Sequence, residues 1–236
     1  MAAAGSRASA AQRVGIGKVS AVCLDAERGD GRGTRGLRGP NGVSVPVFDA
    51  FMYPLEAVAL RRRRRRLIPR ASGRVLEVGI GSGANLPYYR WEQVESLTMV
   101  DPTIPPAIRD QVYPVPVSFH PLSVEELPFP DASFDTVVFT LVFCSVPDNR
   151  GGLREVARVV KPSGQVFFIE HVLPPSTRLH AVMHAINPYW RRVSSGCNIT
   201  RKTDEELTAA GLCISEMERF GRGFVIAGRA ARCAPA

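Results

Sequence analysis

The 236-residue sequence predicts an α/β chain, with a doubly wound, mostly parallel sheet closed by an antiparallel last hairpin. Three observations carry that expectation. From Gly73 onward, β-branched and aromatic runs alternate with helix-patterned or turn-rich stretches, as strand–helix units do. Two of the runs, 134–142 and 165–172, are apolar along most of their length, as strands buried on both faces must be. Glycines cluster at the end of the first run, where sheets of this class open into a ligand crevice.

Residues 1–45 are rich in Ala, Gly, Arg and Ser with little apolar period, so a disordered extension is expected. Its first 24 residues hold Arg7, Arg13 and Lys18 and no acid, which also fits an organelle-targeting segment. The body is expected to span 46–236. It opens with a helical lid, 46–72, interrupted at Pro54 and carrying six consecutive arginines, Arg61 to Arg66. Six charges in a row wrap round a helix, so most are expected to face water. Peripheral contact with an anionic membrane is the functional alternative for this run.

Strands are expected at 74–80, at 96–100 ending before Asp101, at 117–120, at 134–142 and at 165–172. Between the last two, Leu153, Val156, Ala157 and Val160 form one face of a helix that Pro162 and Gly164 should stop. Runs 213–220 and 223–230 would close as a hairpin across the Gly221 and Gly223 turn.

The net charge of +8 is not spread evenly. Residues 1–74 hold 15 basic and 5 acidic side chains, whereas 75–236 hold 15 and 17. A nucleic-acid-binding protein using the arginine-rich third is the reading from another class. The slightly acidic body and the lack of an aromatic strand platform argue against it, so no nucleic-acid partner is expected. The longest nearly apolar run, 137–146, is too short to cross a bilayer. Five scattered cysteines with no C-x-x-C pair suggest reduced thiols and a cytoplasmic location.

The most informative stretch is V-L-E-V-G-I-G-S-G-A-N-L-P-Y-Y, residues 75–89. Gly79, Gly81 and Gly83 allow a tight turn and close approach of a ligand to the backbone. The letters also fit a dinucleotide fingerprint. Three features favour S-adenosylmethionine over NAD. Glu77 would repel a pyrophosphate but suits an ammonium group. Pro87 cuts short the helix that a pyrophosphate needs at its N-terminus. The remaining chain is short for a separate hydride-acceptor domain. Asp101, 22 residues after Gly79, is placed to accept hydrogen bonds from a ribose diol.

With those residues in place, the chain resembles the class I S-adenosylmethionine-dependent methyltransferases across 47–230, which implies their Rossmann-like fold. The matching pieces are V-L-E-V-G-I-G-S-G, the acid of M-V-D-P, E-E-L-P-F-P-D-A-S-F-D and L-R-E-V-A-R-V-V-K-P-S-G. More narrowly, G-A-N-L-P-Y-Y, T-L-V-F-C-S-V, I-E-H-V and G-C-N-I-T-R resemble a subgroup of small membrane-associated thiol S-methyltransferases and phospholipid or quinone methyltransferases. The resemblance implies that Glu77, Gly79, Gly81 and Gly83 line methionine and ribose and that Asp101, followed by Pro102, holds the ribose. It puts Val124 and Glu125 beside adenine, and Thr140 and Leu141 under the methionine end. Ser123 stands where many relatives have Asp, the prolines 102, 105 and 106 break an expected helix, and Phe48-Asp49 replaces a Tyr-Asp pair.

The acceptor expected is a small, rather apolar molecule, a thiol first, with a phospholipid amine or quinone as the alternative. Methyl transfer needs alignment and a deprotonated nucleophile. His171, at the carboxyl end of strand five, is the candidate base. Glu170 is expected to be structural, and Cys144 an apolar lining residue. His184, Trp190, Cys197 and Asn198, from the insertion before the last hairpin, are the candidate acceptor-lining residues. His180 and His184 lack an evident third metal ligand, so no metal is expected.

Overall fold

The computed structural model describes residues 58–194 and 196–234. The expected extension over 1–45 and the Phe48-Asp49 pair lie outside the described residues. Helix α1 covers 58–67, ends in a short 3-10 turn at Ile68–Arg70, and leads into β1, Gly73–Val78. Then follow β2 (Val94–Val100), the one-turn α2 (Pro106–Arg109), β3 (Val117–His120) and β4 (Phe134–Thr140). The remaining elements are α3 (Asn149–Val159), β5 (Val160–His171), α4 (Thr177–Val193), α5 (Thr203–Ala209), β6 (Leu212–Phe220) and β7 (Val225–Arg232). The sheet runs β3-β2-β1-β4-β5-β7-β6. Strands β1 to β5 are parallel, and β7 is antiparallel to both β5 and β6.

Alternate side chains of the central strands enter two different cores. Leu76, Val137, Phe139 and Phe168 join Leu153, Val156 and Leu207 from α3 and α5. Val75, Val138, Phe167 and Ile169 join Leu60 and Leu67 from α1. A strand with period two that is apolar at every position can only be satisfied this way, by cover on both faces. Each fully buried Leu, Val or Phe is worth roughly 1.5–3 kcal/mol relative to exposure.

The helix expected before β5 ends at Val159, and β5 begins at once. Pro162 and Gly164 therefore sit inside a strand. Val160 pairs with Phe134, the next four residues leave the ladder, and pairing resumes between Gln165 and Thr136. The irregularity absorbs the proline, which has no N–H to give. Residues 79–93 hold only turns and 3-10 segments, with Pro87 inside the turn Leu86–Tyr88, as its rigid ring requires.

Two expectations need correction. Cys213 and Cys233 are joined in a disulfide with a Cα–Cα distance of 4.9 Å, so the five cysteines are not all thiols. The β6–β7 pairing sets Cys213 opposite Ala231, and Cys233 N–H donates to the Gly211 carbonyl at 2.8 Å, so the two cysteines are diagonal neighbours at the end of the ladder. The arginine run is also less solvated than expected. Arg63 and Arg66 both pair with Glu218 of β6, Arg70 pairs with Glu216, and Arg63 lies 3.9 Å over the Phe220 ring. Arg64 Nε donates to Asn85 Oδ1 at 3.1 Å. Arg62, Arg65 and Arg66 are exposed. Half of the run, Arg63, Arg64 and Arg66, thus clamps α1 to β6 and to the glycine loop. Among the described residues no helix is long and apolar enough to cross a membrane.

Candidate active site

The glycine loop leaves the end of β1 with Gly79 at φ +70° and Gly81 at φ +49°. Both angles lie in the left-handed region that side chains disfavour. A Cβ on Gly79 would lie 2.3 Å from a methyl of Val142, so the loop packs directly on the segment after β4. Around Gly81 nothing lies within 4 Å of where a Cβ would stand. That open side is the cradle a ligand can enter. Gly83 is closed instead, against Ile108 and Leu86.

Glu77 is almost fully buried. Its oxygens accept hydrogen bonds from Asn85 Nδ2 and Tyr89 Oη, both at 2.9 Å. Burial raises its pKa to about 7 even though these donors and Arg64 oppose the shift. Asn85 also donates to Thr140 Oγ1 at 3.2 Å. Glu77 therefore ties the loop to β4 and does not present an open carboxylate. Asp101, half-exposed at the end of β2, does: Oδ2 accepts from Gly81 N at 3.0 Å and Oδ1 from Thr103 N at 2.9 Å. Pro102 beside it is exposed.

Val124 points into the core, where it meets α3 at Gly152. Glu125 takes hydrogen bonds from Ser123 Oγ at 2.7 Å and from the backbone of Asp148. The departure at Ser123 thus has a local function, fixing Glu125.

After Thr140 the chain turns sharply. Leu141 sits at φ +58°, a strained value for a leucine. The turn aims three successive N–H groups, from Val142, Phe143 and Cys144, at the two oxygens of Glu170, at 2.8–3.1 Å. Glu170 is wholly buried, and burial lifts its pKa to about 7 against those three donors. The expected structural part for Glu170 has this concrete form: it is the anchor of the segment after β4.

That anchor delivers Cys144 to His171. His171 Nδ1 lies 4.0 Å from Cys144 Sγ and 3.5 Å from Cys197 Sγ. Cys197 arrives on the segment after α4. Asn198 N–H donates to the carbonyl of Cys144 at 2.7 Å, and the Arg201 guanidinium donates to the carbonyl of Phe143. The Cys144 thiol donates to the Cys197 sulfur, which pushes the Cys144 pKa well above the usual thiol value and Cys197 down to about 5. Burial opposes the fall at Cys197, while His171 and the Trp190 N–H add to it.

Of the residues expected to line the acceptor, Cys197 reaches His171 and has Trp190 beside it. Asn198 instead turns its side-chain oxygen to Thr200 and acts as a brace. His184 is exposed on α4. Cys144, Glu170 and Arg201 are the parts whose role no local pattern announces. His171 Nδ1 has two sulfurs within 4.0 Å, a setting different from that of a lone base.

The family described as "Methyltransferase domain" matches residues 76–168. The chain is 31% identical to human thiol S-methyltransferase TMT1B over 190 residues, which is 74% of this chain and 77% of that protein. It is 32% identical to a phosphatidylethanolamine N-methyltransferase of Cereibacter sphaeroides over 144 residues, 59% of this chain and 70% of the other. Among solved structures, the 1,6-didemethyltoxoflavin-N1-methyltransferase of Burkholderia thailandensis, with S-adenosylhomocysteine bound, superposes with a TM-score of 0.54 at 18% identity. That match covers 81% of this chain and 92% of the other.

Proposed function

The chain belongs to the class I S-adenosylmethionine-dependent methyltransferases, in the subgroup of the thiol S-methyltransferase just described, and from that premise we propose that its acceptor is a small, rather apolar thiol. One observation carries the proposal. The glycine loop touches the segment after β4 at Gly79 and Val142, and that same segment ends in a buried group of two sulfurs and an imidazole. In this reading the methyl donor and the acceptor sulfur meet across that segment.

S-adenosylmethionine supplies an electrophilic methyl group on a sulfonium sulfur. The residues present fit it: Gly81 leaves its ligand side open, and Asp101 offers a half-exposed carboxylate at the rim. In this reading Gly79, Gly81 and Gly83 shape the methionine and ribose side, and Asp101 takes the diol. Val124 and Glu125 border adenine through their backbone. Thr140 and the strained Leu141 form the floor under the methionine end. Because positive charge disperses as the methyl group moves, the chain's task is to align the acceptor, exclude water and keep the acceptor sulfur deprotonated.

A panel of acceptors with labelled methyl donor tests this. Alkyl and aryl thiols should be methylated, while phosphatidylethanolamine and phenolic quinol precursors should not. Transfer to the lipid amine in the absence of transfer to any thiol would overturn the reading.

A further inference from the structure

Among the described residues, Cys144, His171 and Cys197 are the group whose metal-ligating atoms all lie within 4.8 Å of one another. The three come from separate segments, each held independently. Cys144 is set by the Glu170 anchor, His171 by the β5–β7 ladder opposite Val225, and Cys197 by the Asn198 bridge back to Cys144. Such fixing of three donors is what a preformed metal site needs before the metal arrives.

The spacing agrees with the ion that prefers this donor set. Zinc binds sulfur at ~2.3 Å and imidazole nitrogen at ~2.0–2.1 Å with tetrahedral angles, which puts nitrogen and sulfur roughly 3.6 Å apart. The Nδ1–Sγ distances here, 3.5 and 4.0 Å, bracket that value. Two thiolates and one imidazole also favour zinc over the oxygen-seeking ions. Both cysteines are buried, whereas His171 is partly exposed. The Trp190 indole beside Cys197 is the kind of neighbouring group that steadies a metal-bound thiolate.

We propose that Cys144, His171 and Cys197 bind one zinc ion, whose fourth position takes the acceptor sulfur. Three protein ligands and one open position are the pattern of a catalytic zinc. An acceptor thiol entering that position loses its proton to water. Its sulfur then forms the bond to the methyl carbon, and the carbon–sulfonium bond breaks with its electron pair left on the donor sulfur. The products are a thioether, which binds zinc weakly and leaves, and S-adenosylhomocysteine. His171 thus acts as a ligand through Nδ1, not as a lone base. The acceptor part of the inference rests on the thiol reading; the metal part rests on geometry alone.

The test uses the full chain, purified without chelator, with zinc measured by mass spectrometry and cobalt(II) added to stripped protein. About one zinc per chain is expected, and cobalt should give thiolate charge-transfer bands with tetrahedral d–d intensity. Cys197→Ser, Cys144→Ser and His171→Ala should each weaken zinc binding by more than ~100-fold, and Trp190→Phe by ~10-fold. His180→Ala, which removes only a bond to the Pro174 carbonyl, should keep the metal. S-adenosylhomocysteine binding by calorimetry shows that each variant is folded.

Metal-free protein that binds the cofactor, takes up no cobalt and methylates thiols at full rate overturns the metal site and leaves the thiol reading standing. A mass lower by two protons in reducing-agent-free protein, cleared by reductant, would show a Cys144–Cys197 disulfide and also overturn it. Protein that holds zinc through these residues but methylates no thiol upholds the site and overturns the acceptor.

Discussion

The two ends of the proposed active site are built by different means. The cofactor end is made of backbone from one short stretch, Gly79 to Gly83, with Asp101 added from the next strand. The proposed acceptor end is made of side chains from three distant segments, Cys144, His171 and Cys197. A backbone cradle needs only glycines at the right spacing, so it is written locally. A side-chain cluster exists only once β4, β5 and the segment after α4 are assembled. The first end depends on conformation and the second on tertiary structure.

The largest expected effect separates the two directly. Glu170→Ala leaves three buried N–H groups without an acceptor, and should cost roughly 3–5 kcal/mol of stability in a urea melt. Turnover should fall with it while S-adenosylhomocysteine affinity in the remaining folded protein changes little. Equal loss at both ends would mean that they are one unit.

Next comes Glu77, whose folded pKa of about 7 lies above the ordinary value of 4.5. Between those values the folded protein holds a proton that the unfolded chain has lost, so stability falls as pH rises through this window. The loss amounts to roughly 3 kcal/mol once pH exceeds about 7. Glu77→Gln keeps the shape without the charge. It should reduce the decline in melting temperature between pH 5 and 8, leaving the part that belongs to Glu170, which burial raises to the same value; an unchanged slope would show that Glu77 does not contribute.

Asp101→Ala should weaken donor binding by about 1.5–3 kcal/mol, or roughly 10- to 150-fold, with thiol binding at the other end intact. Normal donor affinity by calorimetry would remove the diol role. The smallest effect lies outside both ends. Arg62→Ser and Arg65→Ser alter two of the exposed members of the arginine run, and each should lower partition onto anionic vesicles by ~1 kcal/mol at low salt. Binding that is equal on neutral vesicles would exclude a charge-driven contact.

Much of the fold was legible because its signals are local. The alternation of strands, the glycine loop and the turn imposed by Pro87 all follow from neighbours in sequence. β5 was harder, since Pro162 and Gly164 read as a stop until the partner strand shows where they are bypassed. The Cys213–Cys233 bridge and the salt bridges from Arg63, Arg66 and Arg70 to β6 depend on a hairpin register that composition does not express. His171 and Cys197 were visible singly, as candidates at a strand end and in an insertion. Cys144 read as apolar lining because a lone cysteine in an apolar run looks like one. Only the turn at Leu141, held by Glu170, brings it within reach of the imidazole.

The position of β7 has a consequence for biosynthesis. This strand follows all the others in the chain, yet it lies inside the sheet, between β5 and β6. His171 is held opposite Val225, and Val172 N–H bonds the Phe224 carbonyl at 2.8 Å. On the ribosome, β3, β2, β1 and β4 can pair as they emerge, so the cofactor end can take shape while synthesis continues. The acceptor end cannot, because β5 and β6 have no common neighbour until β7 has left the exit tunnel and slotted between them. A nascent chain stalled before Val225 would carry the cofactor loop without the frame that aligns His171.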